Sequence, residues 1–194
     1  HTEWVAFNKN LELAEKCISI LCTKKKYKVL FVGRSGCALP TPCDNLQIET
    51  TTKLDYHALQ AKFDECRFLF LPNIHDASPR VITEAMNHNL PCLINSNLVG
   101  GWKYINERTG EFFTDENDFE EKVDKIINNC SNYQPRQYFL ENHGILKAGE
   151  LFRDFIFEVF GDKINIPKNE IKYTTIEFKK INFSEGESFE RICN

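Results

Sequence analysis

Short apolar runs rich in β-branched and aromatic residues alternate along this chain with stretches of helical period, and no other feature restricts the fold as much. Tyr27–Val32, Leu46–Thr50, Arg67–Leu71, Pro91–Asn95 and Gly110–Phe113 read as strands. Asn10–Cys22, Leu54–Cys66, the stretch from Pro79 to Asn89, Asp118–Asn129, Pro135–Asn142 and Ile145–Phe160 read as helices. A parallel neighbour strand is reached only by a crossover long enough to hold a helix, so this repetition predicts a parallel sheet covered on both faces. The expected fold class is α/β, a doubly wound parallel sheet over residues 1–160. A C-terminal extension or linker is expected over 161–194, where Pro167 and Ser184-Glu185-Gly186-Glu187 change the texture. Trp4–Phe7 reads as a further short strand, and Tyr27–Val32 as a fully buried one.

Composition narrows the function classes. A chain of 194 residues that is 42% apolar and carries 16 Phe can build a real core, which excludes a disordered chain or a disulfide-stapled miniprotein. Its formal net charge of −4 lacks the basic excess of a nucleic-acid binder, so no nucleic-acid partner is expected. No apolar run approaches the ~20 residues of a membrane-spanning helix. The chain begins His1-Thr2-Glu3 without Met and shows no charged segment leading into an apolar one, so it is expected to be a piece of a longer polypeptide. Its eight cysteines form no C-x-x-C pair and several sit in apolar runs, which predicts reduced thiols and a cytoplasmic location. Cys37, Cys43, His57 and His75 fit no common zinc spacing, so no metal site is expected.

In a doubly wound sheet, ligands bind where the carboxyl ends of the strands meet loops and helix starts. The segment from Asn73 to Met86 is then informative, because Ser78 followed by Pro79 predicts a helix with Ser78 as its cap and Pro79 in its first turn. The amides there, with the helix dipole behind them, suit a phosphate. Gly33 and Gly36 allow a ligand close to the backbone, and Arg34 stands between them. No G-x-G-x-x-G is present, which disfavours nicotinamide chemistry. Arg80 and Glu84 are four apart on one helical face and can pair. Trp102 and Tyr104 are expected in the core.

Asp76 precedes Glu84 by seven intervening residues, and Glu84-Ala85-Met86 leads to Asn89-Leu90-Pro91-Cys92. This resembles the donor-binding motif of the retaining family 4 glycosyltransferases, whose GT-B fold pairs two Rossmann-like domains. The family's pattern has Glu where this chain has Asp76, Gly where it has Asn89 and Val where it has Cys92. Lys9-Asn10, the strand ending in Gly33, and Thr109-Gly110 extend the resemblance over about residues 3 to 160. It implies half of a GT-B enzyme, a Rossmann-like domain that binds a nucleotide-diphosphate sugar and passes the sugar to a glycan, lipid or protein acceptor. Retention, no obligatory metal or other cofactor, and an acceptor-binding domain outside this chain are implied with it. Asp76, facing the sugar, and Glu84, accepting from ribose hydroxyls, are the implied catalytic pair; Lys9, Gly33, Arg34, Ser78, Pro79 and Arg80 complete the donor site with Glu84. A non-catalytic nucleotide or nucleotide-sugar binding module, or half of a sugar-nucleotide epimerase, are the alternatives.

Overall fold

A computed structural model of the chain describes residues 7–21, 27–32, 46–51 and 54–163. In chain order these residues form helix α1 (Leu11–Leu21), strands β1 (Tyr27–Val32) and β2 (Leu46–Thr51), α2 (Tyr56–Asp64), β3 (Leu69–Leu71) and α3 (Arg80–Asn87). There follow β4 (Cys92–Asn95), β5 (Gly110–Phe113), α4 (Glu116–Asn128), α5 (Pro135–Asn142) and α6 (Gly144–Phe160). Every strand pairing is parallel, as the alternation of elements requires. Hydrogen bonds join the strands as a β1-β2 pair and a three-stranded β3-β4-β5 sheet, where one continuous sheet was expected. The fully buried β1 of the sequence analysis is also corrected. Lys28 is exposed, Val32 is 42% exposed, and the residues between them are only part-buried. Phe7, expected in a strand, stands in a helical turn instead.

The three-stranded sheet is covered on both faces. Side chains of a strand alternate between faces, and in β4 Cys92 and Ile94 enter one cluster while Leu93 enters the other. Flanking and within β3, Leu69 and Leu71 follow the first pattern, Phe68 and Phe70 the second. The first cluster packs the sheet against α2 and α3 through Phe63, Ile82, Ala85 and Met86. The second uses Cys17 and Leu21 of α1 and Phe119, Val123 and Ile126 of α4. Doubly covered parallel strands of this kind are compatible with a Rossmann-like fold.

Local chemistry sets the helix ends. Asp55 caps α2 by accepting from the Ala58 amide at 2.8 Å. Asp115 and Asp118 form a capping box that starts α4 at Glu116, ahead of the expected Asp118. At the end of α3, Asn89 takes φ +57° and the Leu90 amide reaches back to the Ala85 carbonyl, the left-handed stop expected of Asn before Pro91. The four described cysteines, Cys17, Cys66, Cys92 and Cys130, are free, and burial pushes the Cys17 and Cys92 thiols up to about 12. No helix among the described residues is long and apolar enough to cross a membrane.

The chain divides into compact units between Gly144 and Ile145, which assigns all but the first residue of α6 to the second unit. At the end of the first unit His143 lies among Tyr104, Tyr138 and Phe139, with ring centroids 4.9, 5.8 and 5.7 Å away. Its Nε2 is buried without a hydrogen-bond partner among the described residues. Burial, helped by the Lys103 charge, lowers its pKa below the ordinary 6.5. The unfolded chain then takes up this proton more readily than the folded one, so His143 contributes full stability above 6.5 and loses it as pH falls toward the folded value. Denaturant titrations at pH 7.5 and 5.5 are expected to show a smaller acid loss for His143→Phe than for wild type. Equal losses would remove His143 from that role.

Candidate functional site

Three segments converge at the carboxyl ends of β3 and β4: the turn 7–10 before α1, the stretch 72–79 after β3, and the loop 96–101 after β4. Backbone hydrogen bonds tie them. The Ile74 amide donates to the Asn8 carbonyl at 3.0 Å, Val99 to Ile74 at 2.9 Å, and Asp76 to Val99 at 3.3 Å. Asn95, buried at the end of β4, donates from Nδ2 to the Pro72 carbonyl at 3.2 Å and accepts at Oδ1 from the Asn97 amide at 2.8 Å. Each polar group of that amide is satisfied, which a buried site for Asn requires. Asn73 is buried as well, with its Nδ2 lacking a hydrogen-bond partner among the described residues.

Gly100 and Gly101 let the third segment lie directly on the second. Both have positive φ, +97° and +79°. A Cβ on Gly100 would sit 2.4 Å from the Asp76 carbonyl oxygen, and one on Gly101 would sit 2.6 Å from Cγ of Pro79. A side chain at either position would push the Asp76–Pro79 stretch away. The sequence analysis did not single out these glycines. Their signal is a Gly pair in a loop that leaves a buried strand.

The architecture brings Lys9 and Asp76 together. The Lys9 Nζ is 3.3 Å from Asp76 Oδ2, with side chains 47% and 27% exposed. Ser78 is corrected as a cap. It is exposed, Pro79 occupies the cap position with φ −70° and ψ 92°, and no side-chain cap bond is made at the start of α3 among the described residues. Pro79 is instead buried against the Gly101 position. The Ile82 amide donates to the Pro79 carbonyl at 3.0 Å, while the Arg80 and Val81 amides find no acceptor among the described residues. Among the described residues the amide donors at this helix start lack an acceptor, and Ser78 is not their cap.

Arg80 is exposed and Glu84 half-buried, and no ion pair joins them among the described residues. The pairing that their spacing permits is not made among the described residues, and the Glu84 carboxylate makes no hydrogen bond with any of them. Tyr104 packs on the first core cluster as expected, but Trp102 is 63% exposed. His75 is exposed, its ring 6.1 Å from that of Phe7. Gly33 and Arg34 lie outside the described residues. Among those described, no three His, Cys, Asp or Glu side chains gather as a metal site. A shallow groove lined by Asn89, Arg136 and Glu141 lies at the C-terminal end of α3, the opposite end from Arg80, and contains none of the expected site residues.

Thr109 and Gly110 have a structural role. Thr109 is fully buried, donates from Oγ1 to the Tyr104 carbonyl at 2.7 Å and accepts from the Asn106 amide at 2.8 Å. Gly110 opens β5 so close to β4 that a Cβ would sit 2.0 Å from the Cys92 carbonyl oxygen. No protein-family model matches the chain, and no curated protein matches it.

Proposed function

We propose that this chain is the donor-binding domain of a glycosyltransferase of the retaining GT-B kind, one that takes a sugar from a nucleotide diphosphate. The observation that carries the reading is the meeting of Lys9, Asp76 and the open start of α3 at the carboxyl ends of parallel strands, with Glu84 one turn further along α3. As the glycosidic bond breaks, negative charge develops on the leaving diphosphate, and a fixed ammonium with oriented amides stabilises it. Lys9 supplies the ammonium; the Arg80 and Val81 amides and the Arg80 guanidinium stand at the helix start. Glu84, a carboxylate with no side-chain partner among the described residues, accepts from the ribose hydroxyls. No metal is obligatory in this scheme, and the glycan, lipid or protein acceptor is held by a domain outside this chain. The free thiols of the four described cysteines accord with a cytoplasmic setting.

A thermal-shift screen of nucleosides, nucleoside diphosphates and their hexose conjugates tests the reading. A cognate diphosphate at about 100 times its Kd is expected to add about 2.7 kcal/mol of stability. If no diphosphate in the screen raises the melting temperature, the reading fails.

A further inference from the structure

Resting on that reading, we propose that Asp76 is the resident counter-ion of Lys9, displaced by the incoming diphosphate, and that it does not hold the sugar. The backbone on both sides of the pair is fixed. The Lys9 turn accepts from Ile74 through the Asn8 carbonyl at 3.0 Å and ends at Asn10 with φ +51°. The Asp76 amide donates to Val99, and its carbonyl oxygen lies where a Cβ on Gly100 would approach to 2.4 Å. Within that frame the short Asp side chain brings Oδ2 to within 3.3 Å of the Lys9 ammonium. A Glu would carry its carboxylate one methylene further. Glu84, by contrast, has no ion-pair partner among the described residues, so the carboxylates are in different states: Asp76 balances a cation and Glu84 is available to hydroxyl donors.

A carboxylate beside Lys9 competes with phosphate for the ammonium and repels the diphosphate. Removing its charge while keeping its shape therefore favours the diphosphate and its sugar conjugates both, the more highly charged free diphosphate at least as much. An exposed pair of this geometry limits the effect to a few-fold.

The experiment measures Kd by calorimetry for wild type, Asp76→Asn, Lys9→Met and the double variant of the full chain. The probes are uridine, guanosine, adenosine and thymidine diphosphates and their hexose conjugates. Expected for Asp76→Asn is a gain of about two- to fivefold, for diphosphate and conjugate both, that shrinks in the Lys9→Met background. A conjugate bound more weakly by Asp76→Asn than by wild type overturns the proposal and returns Asp76 to the sugar. So does any loss of diphosphate affinity, an unchanged affinity, or a gain undiminished without Lys9. If wild type binds none of the probes, the functional reading itself falls and the counter-ion role falls with it.

Discussion

Replacing Phe113 with alanine is expected to lower the unfolding free energy by about 3–5 kcal/mol. The ring is fully buried at the end of β5 and shares a cluster with Phe70 and Phe119, with centroids 5.4 and 5.7 Å away, while those two rings lie 5.0 Å from each other. Truncation removes the transfer free energy of the ring and leaves a cavity that strands β3 and β4 and helix α4 close only in part. A domain of this size has about 5–15 kcal/mol in total, so the loss is a large share. Urea unfolding followed by circular dichroism measures it, and a loss under about 1 kcal/mol would show that the ring does not fill the core. The site is expected to suffer too. The Phe113 carbonyl accepts from the Ser96 amide at 2.8 Å, and that bond starts the loop that carries Gly100 and Gly101 onto Asp76.

Elements bounded by their own punctuation were legible. Tyr27–Val32, Gly110–Phe113 and Pro135–Asn142 form over the residues expected, because Lys, Gly and Pro mark the changes of period locally. Asn89 stops α3 for a reason contained in its own backbone preference. The misreadings have tertiary causes. Ser78-Pro79 has the pattern of a capped helix, but burial of Pro79 against the Gly101 position decides which residue takes the cap and leaves Ser78 in solvent. The run Trp4–Phe7 is too short for periodicity to separate strand from helix, and Phe7 is helical. Trp102 is apolar enough for a core, yet its depth depends on where the glycine pair turns the chain, and it emerges 63% exposed.

The candidate site was legible as a set of residue types and hidden as a geometry. Spacing along α3 relates Arg80 to Glu84, and helical periodicity alone permits their pairing, which the structure does not make. Lys9 and Asp76 lie 67 residues apart, and nothing local joins them. Their contact follows from two separate facts, the backbone bonds that bring the turn before α1 beside the end of β3, and the loop after β4 that holds Asp76 in place. Resemblance to a motif names the members of such a site. Only the fold states which charge faces which.

Glu84→Ala is expected to weaken nucleotide binding about ten- to hundredfold while leaving the fold stable. Hydrogen bonds to a charged acceptor are worth about 1.5–3 kcal/mol, which sets that range. The carboxylate is half-buried in the second turn of α3 and forms no side-chain bond with a described residue, so its removal orphans no protein donor there, and alanine suits a helix interior better than glutamate. The loss has a signature. A carboxylate that accepts from ribose hydroxyls acts on the nucleoside and on the nucleoside diphosphate equally, whereas Lys9→Ala should weaken the diphosphate and spare the nucleoside, which lacks the anion. Raising salt separates direct contact from long-range attraction, because only the latter is screened beyond about 10 Å at 0.1 M. Calorimetric titration of the four protein–ligand combinations gives the pattern. An unchanged Kd for folded Glu84→Ala would make Glu84 an ordinary polar residue of α3, and equal losses for nucleoside and diphosphate after Lys9→Ala would leave the open amides of Arg80 and Val81 as the anion-binding element of the site.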